Sequence, residues 1–156
     1  MAETAELLER FRAVEKTLAT AESCTGGLLG ALLTAVPGSS DVYRGGVISY
    51  CNAVKHGLLG VPEALLEEYG AVSWQVAEAM AEGACRAAQA DFGVSTTGLA
   101  GPDGDGSGKP VGLVYVGCAG PKGVTHRELH LTGSRDEIRQ QACREALALL
   151  ESRLEK

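Results

Sequence analysis

Two hydrophobic rhythms run along the chain, one of helices and one of strands. Leu7, Leu8, Phe11 and Val14 recur at helical spacing and predict a helix over 3–15 with these four on its buried side. KTLATA (16–21) then reads as a short strand, and GGLLGALLTA (26–35) as a buried helix that Pro37 and Gly38 end. RGGVISY (44–50) is strand-like. Asn52 is placed to cap a helix through Leu59, where Gly60 stops it. Pro62 opens a short helix to Tyr69, and Ser73 begins an alanine-rich one over 74–90. DFGVSTTG (91–98) reads as a strand. The next stretch, LAGPDGDGSGKP (99–110), holds four glycines and two prolines in twelve residues and is a loop. VGLVYVGCA (111–119) and VTHRELHLT (124–132) are two strands joined by GPKG. Ser134 with Glu137 makes a capping box for a last helix to Leu154, with Ile138, Ala142, Ala146, Leu149 and Leu150 on its apolar face.

Strands alternating with helices, followed by a hairpin, predict an α/β fold. The expected form is a three-layer α/β/α arrangement with a mixed, mostly parallel sheet and a late antiparallel hairpin. The 156 residues fit one domain, with no internal repeat. In such sheets ligands gather at the carboxyl ends of the strands. Three unusual stretches fall there: 22–27, 50–55 and 97–110.

Composition narrows the function classes. A net charge of −6 gives no basic footprint for nucleic acid. No apolar run approaches the roughly 18 residues of a membrane span. The acidic, amphipathic start MAETAELLERF is unlike a signal peptide. Five cysteines, at 24, 51, 85, 118 and 143, form no C-x-x-C pair. They suit reduced thiols in a cytoplasmic protein, packed as small apolar residues, and do not indicate a metal.

TAESCTGG (20–27) carries the most chemistry. Ser23 sits at a strand-to-helix junction, where a serine is either a helix cap or a nucleophile. In the second case the amides of Cys24, Thr25, Gly26 and Gly27 face the ligand as an oxyanion hole or anion cradle. The hydrolase elbow G-x-S-x-G is absent. The candidate bases are His56, His126, His130 and Lys55. His126 and His130 share a face of a late strand, where packing is the commoner role. Lys55 falls near the third position of the helix after Tyr50; the helix dipole and burial there both favour the neutral amine. A solvated surface lysine is the competing reading, as is a thiol pair of Cys24 with His56. In the glycine-rich loop, a phosphate-binding loop fails because Asp103 stands for glycine and Pro110 for Ser or Thr. A calcium loop fails because Val114 stands where Glu is needed. Arg135 and Arg139 share one face of the last helix, beside Gln140. They suit either a phosphate or local pairs with Asp136 and Glu137.

Taken together, TAESCTGG, GSSDVYRGGVISYCNAVKHGLLGV, GAVS, STTGLAGPDG and GKPVGLVYV resemble the CinA carboxy-terminal domain family, over Lys16 to Leu149. The characterised activity of that family is nicotinamide mononucleotide deamidation. Larger members add an amino-terminal domain resembling a molybdopterin-binding fold, so the resemblance here is to the stand-alone form. It implies Ser23 as nucleophile, Lys55 as catalytic lysine and Tyr50 as its support. Thr97, Gly98 and the loop through Gly101 to Pro102 are implied to line the nucleotide site, with Arg139 and Gln140 on the phosphate. The implied substrate is a small nucleotide, with no metal or cofactor, and the implied assembly is a homodimer. The alternatives are an amidohydrolase for another amide, and a non-catalytic nucleotide-binding or interaction module linked to competence or DNA damage.

Overall fold

The structure is a computed structural model that describes residues 2–154. Its elements run α1 (Ala2–Ala13), β1 (Leu18–Glu22), α2 (Leu28–Thr34), β2 (Tyr43–Ile48), α3 (Asn52–Leu59), α4 (Glu63–Tyr69), α5 (Trp74–Ala88), β3 (Phe92–Gly98), β4 (Leu113–Gly120), β5 (Gly123–His130) and α6 (Arg135–Leu154). The strands form one sheet in the order β2-β1-β3-β4-β5. β1 pairs in parallel with β2 and β3, while β3–β4 and β4–β5 are antiparallel. Four of the five strands therefore point the same way.

All five residues of β1, LATAE, are buried, because both faces of the sheet are covered. The period of two divides them. Leu18 packs in a core with Leu8 and Phe11 of α1, Leu29 and Leu33 of α2, and Ile138 and Ala142 of α6. Ala19 and Ala21 turn to the other face, against Leu59, Leu66, Val76 and Met80 from α3, α4 and α5. α5 lies directly on β3 and β4. A Cβ added at Gly93 would stand 2.3 Å from the Ala81 carbonyl oxygen, and one at Gly117 would stand 2.5 Å from that of Ala77. Only glycine permits this approach. The edge strand β5 is nowhere fully buried, as its open side requires.

The expected class is borne out, with local differences. The capping box forms: the Ser134 amide donates to Glu137 Oε1 at 2.9 Å, and the Glu137 amide to Ser134 Oγ at 3.2 Å. α1 ends at Ala13, so Val14 falls off its buried stripe and is 50% exposed. The hairpin strands extend inward to leave only Pro121 and Lys122 as the turn. Cys51, not Asn52, stands at the N-cap of α3, and it makes no side-chain capping bond. α2 begins at Leu28, because residues 23–27 are spent on a turn.

Phe11 is fully buried and meets Phe92 edge-on at 5.3 Å. Phe11→Ala is expected to cost about 3–5 kcal/mol in urea unfolding, and Val14→Ala less than about 0.5 kcal/mol.

Candidate active site

The carboxyl ends of β1, β2 and β3 meet at one place because the parallel register aligns them. The Ser23 amide donates to the Thr96 carbonyl at 3.0 Å, and the Ser49 amide to the Glu22 carbonyl at 2.7 Å. Three residues separate the end of β2 from the start of α3, which sends Lys55 back under these strand ends. Lys55 Nζ lies 3.0 Å from Ser23 Oγ and donates to the Ser49 carbonyl at 2.8 Å. Ser23 is buried and Lys55 is only 1% exposed. Among the described residues no carboxylate pairs with this lysine. Burial pushes its pKa below the usual 10.5, with the nearby thiols of Cys51 and Cys24 acting weakly in the opposite sense. The amine is thus held towards its neutral form, beside a hydroxyl.

Residues 23–27 make a tight turn, with Gly26 at φ 56° and Gly27 at φ 107°. The side chain of Glu22, directed back into the protein, organises it. Its Oε1 accepts from the Thr25 hydroxyl at 2.6 Å, from the Gly27 amide at 3.2 Å and from the Leu29 amide at 2.9 Å. Its Oε2 accepts from the Gly30 amide at 2.9 Å. The Gly26 amide closes onto the Ser23 carbonyl at 3.1 Å. Of the four amides expected to face a ligand, those of Gly26 and Gly27 are therefore used inside the turn. The amides of Cys24 and Thr25 have no protein partner among the described residues.

The thiol reading is not supported by the geometry. Burial raises the Cys24 thiol to about 11, and His56 turns away to the Val61 carbonyl (2.8 Å) and Glu63 (3.2 Å). His126 stacks on Trp74 and bonds Glu78, and His130 bonds Glu128; neither borders the site.

A cleft of about 280 Å³ opens above Ser23 and Lys55, bordered by Tyr50, Thr97, the Gly98–Gly101 stretch and Arg135. Thr97 is held by its hydroxyl on the Ala71 carbonyl at 2.7 Å. A Cβ at Gly98 would strike Val114 Cγ2 at 2.5 Å. Arg135 donates to the Gly101 carbonyl at 2.6 Å and to the Tyr50 hydroxyl at 3.2 Å. Tyr50 is 64% exposed and reaches across the mouth; its recorded partner is Arg135, not Ser23 or Lys55. At its far end the 99–110 loop is pinned by Lys109, whose amine donates to the Tyr69 carbonyl at 2.7 Å and to that of Val72.

Two expected contacts lie elsewhere. Arg139 spends its guanidinium on the Cys24 and Thr25 carbonyls, at 3.1 and 3.0 Å, bracing the turn from α6. Gln140 bonds Asp136 at 3.0 Å and borders a separate groove between α1, α2 and α6. Arg135, one helical turn before Arg139, is the cation on the cleft. Spacing placed the two arginines on one face without saying which would reach the strand ends. The role of Glu22 was also missed; its only signal was an acidic residue directly before a glycine-rich helix start. Among the described residues, no cluster of three or more His, Cys, Asp or Glu stands ready for a metal, and no helix is long and apolar enough to cross a membrane.

A strand-end serine and a buried lysine under a parallel sheet define a class that comparison with known proteins makes specific. The model of the CinA C-terminal domain matches residues 2–154, and the chain belongs to that family. A CinA-like protein of Synechococcus sp. (strain RCC307) is 52% identical over 150 residues, and one of Anaeromyxobacter sp. (strain Fw109-5) is 51% identical over 144. These matches take in 95% and 92% of this chain but 36% and 35% of the relatives, so the chain spans about a third of their length. Among solved structures, a competence/damage inducible protein from Agrobacterium tumefaciens superposes with a TM-score of 0.91 at 41% identity, covering 99% of this chain and 96% of that one. A competence-damaged protein (CinA) superfamily protein from Escherichia coli gives 0.93 at 36% identity, covering 96% and 88%.

Cys51 is exposed and Cys24 buried. A thiol-disulfide reagent on the native protein is expected to modify Cys51 first and to spare Cys24. Peptide mapping checks this, and Cys51→Ser should remove the fastest phase.

Proposed function

We propose that the chain hydrolyses the carboxamide of nicotinamide mononucleotide, giving nicotinic acid mononucleotide and ammonia in service of NAD recycling. The observation that carries this reading is the unpaired, buried Lys55 amine 3.0 Å from Ser23 Oγ. A lysine held neutral is a base, and a serine needs one to attack an amide. Lys55 takes the Ser23 proton as Oγ bonds to the carboxamide carbon. The oxyanion that forms is met by the Cys24 and Thr25 amides. The C–N bond breaks, the proton on Lys55 passes to the departing nitrogen, and ammonia leaves an ester on Ser23. Water then adds, losing a proton to Lys55. The ester C–O bond breaks and Ser23 takes the proton back, releasing the acid.

The start of α2 is already occupied by Glu22, so the phosphate of the substrate falls to Arg135, with Tyr50 holding that side chain across the mouth. A second reading, hydrolysis of an amide without phosphate, is favoured by Asp103 and Asp105, which border the same cleft and carry charge that repels an anion.

Ser23→Ala and Lys55→Met are each expected to lower ammonia release from nicotinamide mononucleotide by about 10³-fold or more with the fold intact by circular dichroism. Full activity in either variant sinks the mechanism. Because the active form of Lys55 is neutral, kcat/KM should rise with pH and level off below the ordinary lysine value of 10.5. Lys55→Arg, charged at every accessible pH, should abolish both activity and this limb. Arg135→Ala should raise KM for the mononucleotide and leave the riboside unchanged; equal effects on both would favour the phosphate-free reading.

A further inference from the structure

The mechanism leaves one buried ionisable group without a task. Glu22 is the last residue of β1 and is directly bonded through the chain to Ser23, yet its side chain points away from the cleft. It accepts four hydrogen bonds, from the Thr25 hydroxyl and the Gly27, Leu29 and Gly30 amides, at 2.6 to 3.2 Å. Every one of these donors lies in the nucleophile turn or the first residues of α2. A carboxylate, an acceptor at both oxygens, fits that set of donors. A phosphate seeks the same kind of set at the start of a helix. The Thr25 hydroxyl extends the network to Thr96 Oγ1 at 2.7 Å, tying the turn to β3. The Cys24 thiol, held up first by burial, is raised further by the charge of Glu22, so thiol chemistry beside Ser23 is suppressed.

We infer that Glu22 is a positioning residue, an anion built into the chain that fixes the nucleophile turn and keeps a ligand anion off the start of α2. This rests on the amidase reading above. Two consequences follow for the site. With Gly27, Leu29 and Gly30 engaged by Glu22, the amides left for the oxyanion are those of Cys24, which borders the cleft, and of Thr25 behind it. Removing the carboxylate should let the turn relax and blur those two amides, which act only when charge develops on the substrate oxygen. The loss should therefore fall on kcat and not on KM.

The test is chemical rescue. Glu22→Ala should lower kcat for nicotinamide mononucleotide by about tenfold or more with KM within about threefold. Sodium formate, a free carboxylate small enough for the vacated space, should restore kcat saturably. Sodium chloride at equal ionic strength should not. Formate should also raise the melting temperature of Glu22→Ala above any effect on the wild type, a readout independent of activity. Glu22→Gln, nearly the same shape but with a donor facing donors, should lose kcat and gain nothing from formate. Wild-type kcat in either variant overturns the proposal. So does a Glu22→Ala protein that gains neither activity nor melting temperature in formate, since Glu22 would then serve packing alone. Should the wild type release no ammonia, the amidase reading falls by itself. The formate-specific melting shift then decides for or against Glu22 as the internal anion.

Discussion

A carboxylate buried at the end of β1, between two parallel neighbours, sets the terms for everything near it. Removed from water, Glu22 needs a full complement of donors, and an isolated strand end has none to give. The chain supplies them by turning sharply through Gly26 and Gly27 and starting α2 over the carboxylate. The sharp turn leaves Ser23 at the top of the sheet. The glycines, the short α2 and the placement of the serine are one solution to one electrostatic demand. Arg139 completes it from α6 by donating to the carbonyls of Cys24 and Thr25.

Lys55 is treated in the reverse way. It is equally buried, but among the described residues it meets no counter-charge, only the Ser49 carbonyl and the Ser23 hydroxyl. A paired lysine would be more comfortable and would stay protonated. The two buried ionisable groups stand on opposite faces of the same strand end, one fully satisfied and one deliberately short of a partner. The sheet between them, with both faces covered, keeps water from equalising them.

The elements were legible in the sequence because each rests on local rules. The short apolar stretch within KTLATA, the capping box of Ser134 and Glu137, and the glycine stop at Gly60 depend on neighbours along the chain. The junction at TAESCTGG was legible as a place where a nucleophile or a cap must stand, and the family resemblance chose between them. What escaped depends on distances through space. Arg135 and Arg139 sit one turn apart, and which one reaches the cleft is set by how α6 lies against the sheet. Val14 was misplaced because α1 ends one residue before it. Cys24 is buried, as expected of a small apolar residue, and the competing thiol reading fails because burial raises the thiol to about 11.

The 99–110 loop is fastened at both ends and unfastened in its middle. Arg135 grips it at Gly101 and Lys109 ties it down by Tyr69 and Val72, while Asp103 to Gly108 is exposed and borders the cleft only through Asp103, Gly104 and Asp105. The two anchors separate that span mechanically from the rest of the molecule. Residues can be exchanged, gained or lost between them without disturbing Ser23, Lys55 or the sheet. A change in that span would alter what the cleft admits while Ser23 and Lys55 stay where they are.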